Sequence, residues 1–190
     1  MSHPFEHRRP TGLEDKAHAE AVRYFAGHLK QFPASRDAVD QLERDVAKIA
    51  LAANLAAAKP TASVIHAGDG SQWQKGVDLM ENVCLCHRPV NGGAEFAVME
   101  HFPKQGTHEI WNRGGNAVEV LQVFTQEQRQ ALQFWAEDMT AQVREFLAEK
   151  FPGHDLTRVA DALVRRLTTH SPSHRQTHSP GENHGRGMRI

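Results

Sequence analysis

The spacing of apolar residues predicts helices toward both ends of the chain and strands between them. Apolar side chains recur at helical intervals over residues 17–32, and Thr11 with Glu14 forms a capping-box pattern just before them. Pro33 is expected to end this first helix. A second helical stripe covers residues 39–53. Because the connection between the two is very short, the pattern predicts an N-terminal helical hairpin.

The period changes to that of strands in the middle of the chain. Four β-prone runs between residues 81 and 124 are separated by sequences with turn chemistry, which are Asn91-Gly92-Gly93, Pro103-Lys104-Gln105-Gly106 and Gly114-Gly115-Asn116. This predicts an antiparallel meander of about four strands over residues 81–124. Residues 71–80 fit neither the helical nor the strand period and receive no assignment.

The C-terminal part returns to helical spacing. Thr125 with Gln128 predicts the start of a long helix that Pro152-Gly153 ends, and Asp155 is a potential cap for a last amphipathic helix. Because strands and helices form separate blocks, the fold class is predicted to be α+β, with the meander packed against the N-terminal hairpin and two C-terminal helices. A single domain is expected over residues 11–169, with a flexible N-terminus at 1–10 and a disordered His-rich tail at 170–190.

Turn positions also predict how the strands pair. If Asn91-Gly92 and Lys104-Gln105 are the centres of tight turns, the expected partners are Cys84 with Met99, Cys86 with Ala97, Leu85 with Val98, Glu100 with Glu109, His101 with His108, and Val98 with Trp111. Side chains alternate between the two faces of a strand. An apolar face carrying Val83, Leu85, Phe96, Val98, Trp111 and Val118 is therefore expected to pack against the helices.

The opposite face of the predicted sheet carries candidate metal ligands. Cys84, Cys86, His101 and His108 are of the types that zinc prefers, because thiolate and imidazole donors suit a tetrahedral site. The alternative is that both cysteines are small buried apolar residues, as free cysteines commonly are. Two residues along a strand span roughly 6.5 to 7 Å, which is at or beyond usual disulfide reach, so no bridge between the cysteines is expected.

A hydrolytic site is a second interpretation of the same strands. Glu100 opposite Glu109 places like charges across the ladder, which requires a cation, a proton, a basic partner or full solvation. Together with His101 and His108, these glutamates form a candidate catalytic set for a metal-dependent hydrolase, most plausibly a nuclease using zinc or magnesium.

Composition narrows the classes of function. The chain has 190 residues, of which 39% are hydrophobic and 24% charged, and 22 basic side chains nearly balance 23 acidic ones. This composition excludes a strongly basic nucleic-acid coat or an acidic mimic of DNA as a property of the whole chain. No apolar run approaches the roughly 18 residues of a membrane span, and the N-terminal residues have no apolar signal core. With two unpaired cysteines, a cytoplasmic location is expected.

These patterns lead to one main hypothesis about function and two alternatives. The main one is a small cytoplasmic interaction or regulatory protein that binds another macromolecule, with a protein as the expected partner, through its sheet or exposed helix faces. The first alternative is the hydrolase described above. The second is weak binding of nucleic acid through a basic C-terminal helix and tail, which contain Arg158, Arg165, Arg166, Arg175, Arg186 and Arg189.

Overall fold

The computed structural model describes residues 12–59 and 63–169. The predicted flexible N-terminus and His-rich tail lie outside these residues. In chain order, the described elements are α1 (Gly12–Tyr24), α2 (Ala26–Ala57), β1 (Val64–His66), β2 (Gln72–Met80), β3 (Val83–Val90), β4 (Gly93–Phe102), β5 (Thr107–Gly114), α3 (Ala117–Lys150) and α4 (Thr157–Thr168). The predicted α+β class is confirmed: two helices precede the antiparallel meander in the sequence and two follow it.

The boundary between the first two helices differs from the prediction. The break lies at Phe25, whose φ of −94° and ψ of 15° depart from helical geometry, whereas Pro33 lies inside α2. The prediction that Pro33 ends the first helix is therefore wrong. Proline removes one backbone hydrogen bond, but tertiary packing outweighs that loss here. The side chain before Pro33, Phe32, is 3% exposed and packs against the Trp135 ring with centroids 4.9 Å apart.

Helix α3 begins eight residues earlier than the sequence pattern indicated. Residues 117–124 were predicted to form a strand, and that prediction is wrong. The side chain of Asn116 caps the helix, since its oxygen accepts hydrogen bonds from the backbone amides of Val118 at 2.9 Å and Glu119 at 3.3 Å. Helix α3 runs antiparallel to α2, because Phe32 meets Trp135 while Asp40, later in α2, pairs with Arg129, earlier in α3.

The five strands form one sheet in the order β1-β2-β3-β4-β5, with every neighbouring pair antiparallel. Strand β2 occupies the segment that received no assignment. A parallel bridge joins Ala67 to His108, and the Gly68 amide donates a hydrogen bond of 2.7 Å to the His108 carbonyl oxygen. The sheet is therefore curled, so that the end of β1 reaches β5.

The predicted register is confirmed over most of the meander. Cys84 faces Met99, Cys86 faces Ala97, Leu85 faces Val98, Glu100 faces Glu109 and His101 faces His108. The predicted pair of Val98 with Trp111 is wrong, because the register shifts between Val98 and Met99 and Val98 instead faces Asn112. Trp111 is the extra residue of this β-bulge.

Buried apolar residues form three clusters. One lies among α1, the start of α2, the second half of α3 and α4. A second lies between the sheet and the other halves of α2 and α3, and includes the predicted face residues Val83, Leu85, Phe96 and Val98. The third fills the concave side of the sheet. Among the described helices, none combines the length and apolar character needed to cross a membrane.

Candidate functional site

The two cysteines lie side by side on the concave side of the curled sheet. Both belong to the central strand β3, and strand alternation points them to the same face. Cys84 is 5% exposed and Cys86 is fully buried, and their sulfur atoms are 3.4 Å apart with no disulfide between them. Met99, the partner of Cys84 on β4, belongs to the same buried cluster. This cluster brings three sulfur-containing side chains together.

Hydrogen bonding and a nearby cation distinguish the two thiols. A hydrogen bond from the Cys86 thiol lowers the pKa of Cys84, burial opposes this effect, and the positive charge of Lys75 adds to the lowering. The pKa of Cys86 is raised by the same hydrogen bond and by burial. Lys75 is the partner of Cys86 on β2 and forms an ion pair of 2.8 Å with Asp78.

The two histidines form a second pair near the turn between β4 and β5. The rings of His101 and His108 have centroids 4.4 Å apart and planes inclined by 34°. Burial lowers the pKa of His108, and the charges of His101 and Lys75 lower it further. The buried Nδ1 atom of His101 has no hydrogen-bond partner in the described part of the chain. The lowered pKa of His108 favours its neutral imidazole, which is the form that binds metals.

The two glutamates of the predicted catalytic set lie on the other face of the sheet. Glu100 accepts a hydrogen bond of 2.8 Å from the Trp111 indole nitrogen, and that indole packs edge-on against Phe124 of α3. Glu109 is exposed to solvent beside Gly68. The like charges of this pair are therefore accommodated by the indole donor and by solvation. A hydrolytic mechanism needs the water-activating and metal-binding groups within reach of one substrate, and these four side chains are divided between two faces.

The four predicted zinc ligands do not form one set. Over residues 12–59 and 63–169, no three side chains of the His, Cys, Asp or Glu types are close enough to hold a metal ion together. The thiol pair and the imidazole pair share a face but remain separate. Sequence reasoning did not consider Met99 as a ligand, although the predicted register already placed it opposite Cys84. It also missed Lys75, which lies in the segment without an assignment.

A groove between α2, α3 and α4 is a second candidate site, at the end of the helices away from the sheet. Its volume is 560 Å³. The apolar residues that line it are Phe32, Leu132, Ala136 and Val164, and the charged ones are Arg36, Arg129, Glu137, Asp161 and Arg165. No sequence pattern indicated this groove, since its residues come from three helices far apart in the chain.

Most charges around the groove are already paired. Arg36 donates hydrogen bonds to the carbonyl oxygens of Leu167 and Thr169, at 2.5 and 3.1 Å, and so fixes the end of α4. Arg129 forms ion pairs with Asp40, at 2.7 Å, and with Glu43. Asp161 is held at 2.6 Å by the guanidinium of Arg144.

Arg165 differs from these residues because it has no ion-pair partner within the described ranges. It is exposed, as are Arg158 and Arg166 on the same helix. The other three arginines of the predicted basic surface, Arg175, Arg186 and Arg189, lie outside the described residues. The described part of that surface is therefore the exposed side of a single short helix.

No relative supplies a function for either site. Neither a protein-family model, nor a curated protein, nor a solved structure matches this chain.

Proposed function

We propose that the protein is a cytoplasmic interaction protein that binds an amphipathic helix of a partner protein in the groove between α2, α3 and α4. The observation that carries this proposal is an open groove lined by apolar side chains and by an exposed arginine, Arg165, that forms no ion pair within the described residues. The two free cysteines are consistent with a reducing compartment such as the cytoplasm.

The shape and the lining of the groove favour a helical segment as the partner. Grooves between helices commonly receive the apolar face of an amphipathic helix, whose anchors recur at three- and four-residue spacing. Phe32, Leu132, Ala136 and Val164 supply the apolar lining against which such a face would pack.

The charge at the rim indicates which partner sequences should bind. Arg36, Arg129 and Asp161 are satisfied within the protein, and Glu137 forms no ion pair in the described ranges but accepts a hydrogen bond of 3.1 Å from Gln133. The charge of Arg165 has no such partner among the described residues. A partner helix with an acidic residue beside its apolar anchors would complement this charge. An exposed ion pair contributes only about 0 to 1 kcal/mol, so the acidic residue should orient the helix while apolar contacts supply most of the affinity.

A displayed library of amphipathic helical peptides, selected against the full chain, tests the proposal. Selected peptides should share apolar anchors at helical spacing and a nearby Asp or Glu. Thr140→Trp, which fills the groove from α3, should weaken a selected peptide by at least about tenfold, equivalent to roughly 1.4 kcal/mol. Ala141→Trp adds the same side chain at the next, exposed position and should leave the affinity unchanged.

Further outcomes test the site and the charge at its rim. Arg165→Glu should shift the selected sequences from acidic to basic residues, because it reverses the charge of Arg165 while that of Glu137 stays unchanged. If no helical peptide is enriched, or if Thr140→Trp and Ala141→Trp bind the selected peptides equally well, the groove is not the binding site. Enrichment of peptides whose only common feature is positive charge would also contradict the proposal.

A further inference from the structure

We propose that Cys84, Cys86 and Met99 bind a single copper(I) ion on the concave side of the curled sheet. This site belongs to a different buried cluster from the groove residues, and the inference does not depend on the proposed helix binding. It differs from the zinc site expected from the sequence in both metal and ligands, because the third donor is a thioether and the histidines do not take part.

The donor atoms are those that copper(I) prefers. Thiolate and thioether sulfur are soft ligands, and they select copper(I) over the harder divalent ions that carboxylates and water bind. Cys84 is 5% exposed, while Cys86 and Met99 are fully buried. Register places Met99 directly opposite Cys84, and the small side chain of Ala97 lies opposite Cys86. Burial among apolar residues also keeps competing water away from the ion.

The spacing of the sulfur atoms suits a shared metal better than a disulfide. Two bonds of about 2.3 Å to one metal place the sulfurs about 3.8 Å apart at a tetrahedral angle and about 4.0 Å apart at a trigonal one. The observed 3.4 Å is short of these values by about 0.4 to 0.6 Å, but exceeds the roughly 2.05 Å of a disulfide by about 1.3 Å. The strand also holds the two backbone positions at the limit of disulfide reach.

A positive charge near the two cysteines offsets the negative charge of the proposed copper complex. Binding replaces both thiol protons, so that one copper(I) and two thiols give an anionic copper dithiolate and two protons. Lys75, opposite Cys86 on β2, places a positive charge beside the thiols, and its ion pair of 2.8 Å with Asp78, opposite Cys84, offsets part of that charge. A divalent zinc ion would need a fuller set of strong ligands, and the described residues offer no third His, Cys, Asp or Glu at this place.

Anaerobic titration of the full chain with copper(I), in competition with a coloured copper(I) chelator, tests the site. The expected result is one tightly bound copper per chain with X-ray absorption showing sulfur neighbours only. Bound copper should also slow alkylation of the cysteines in the folded protein, whereas added zinc should protect them far less. The absorption and alkylation measurements use the unmodified sequence, so they remain informative if a variant does not fold.

Variants distinguish copper binding by the sulfur atoms from copper binding by histidines. Loss of a residue that only supports a metal ligand typically weakens binding by roughly 10- to 100-fold, and Cys84→Ser and Cys86→Ser should each have a larger effect. Met99→Leu, which keeps the apolar volume, should weaken copper binding by about 10-fold. His101→Ala should leave the copper affinity unchanged. Tight binding that persists in the Cys84→Ser/Cys86→Ser double variant, or nitrogen neighbours in the absorption spectrum, would overturn the proposal.

Discussion

Acid should destabilise the fold through His87, a buried histidine on β3. The side chain is 2% exposed, and its Nε2 atom lies 3.1 Å from the Gln74 side-chain oxygen. The buried Nδ1 atom has no hydrogen-bond partner among the described residues. Burial lowers the pKa of His87 below its ordinary value of 6.5. The folded protein therefore holds this ring neutral, with Nε2 donating to Gln74, under conditions in which the unfolded chain binds a proton.

The sign and size of the effect follow from this difference in protonation. The contribution of His87 to the free energy of unfolding is complete above the unfolded pKa of 6.5. It decreases as the pH falls, because only the unfolded state gains the proton. While the folded ring stays neutral, the loss between pH 7.5 and 5.5 approaches about 1.4 kcal/mol for one histidine. His108, whose pKa is also lowered, acts in the same direction.

Urea unfolding at the two pH values measures this loss directly. His87→Gln retains an amide donor toward Gln74 but has no titrating group, so its loss of stability on acidification should be smaller than that of the unmodified protein, by up to about 1.4 kcal/mol. The comparison cancels the contributions of the other titrating residues. Equal losses in the two proteins would show that the buried ring accepts a proton without cost and would refute the reasoning.

Three further predictions concern the sheet, the start of α3 and the absence of hydrolysis. Gly76→Ala should destabilise the fold by roughly 1 to 3 kcal/mol in urea unfolding, because the added carbon would lie 2.6 Å from the Leu85 carbonyl oxygen, and an unchanged midpoint would contradict this packing. Asn116→Ala should cost about 1 kcal/mol in the same assay through loss of the helix cap, unlike an exposed control such as Gln126→Ala. Plasmid DNA incubated with the protein and magnesium should remain uncut, and cleavage abolished by His101→Ala would reverse this conclusion.

The strand register was predictable because turn chemistry is local. Gly92 and Gly106 adopt φ values of 88° and 66°, which glycine accepts without strain, and so each fixes the end of a hairpin. Once the turns are fixed, the pairing of Cys84 with Met99 and of His101 with His108 follows by counting. The candidate copper ligands on β3 and β4 could therefore be placed on one face before any coordinates were known.

The errors arose where tertiary contacts or irregularities override a local pattern. The bulge at Trp111 accompanies a hydrogen bond of 2.8 Å from the Asn112 side chain to the Val120 carbonyl oxygen of α3, a contact that a strand pattern does not contain. Strand β2 has register shifts between Lys75 and Val77 and again further along, so its side chains lose the two-residue alternation that identifies strands.

The long helices were misread for a related reason. Val118 and Val120 have high strand propensity, but the cap at Asn116 and burial of one helical face determine the conformation. The groove could not be predicted from the sequence, because Arg36, Arg129 and Arg165 come together only through the packing of three helices.

The contact between Ala67 and His108 also bears on how the protein behaves at high concentration. An uncovered outer strand presents a row of free amides and carbonyls that can recruit a strand from a neighbouring molecule, which is a common start of fibril growth. Here the short strand β1 turns its end onto β5, so each outer strand occupies part of the other's bonding edge. The curled sheet therefore hinders the addition of strands from neighbouring molecules, and it also encloses the sulfur atoms.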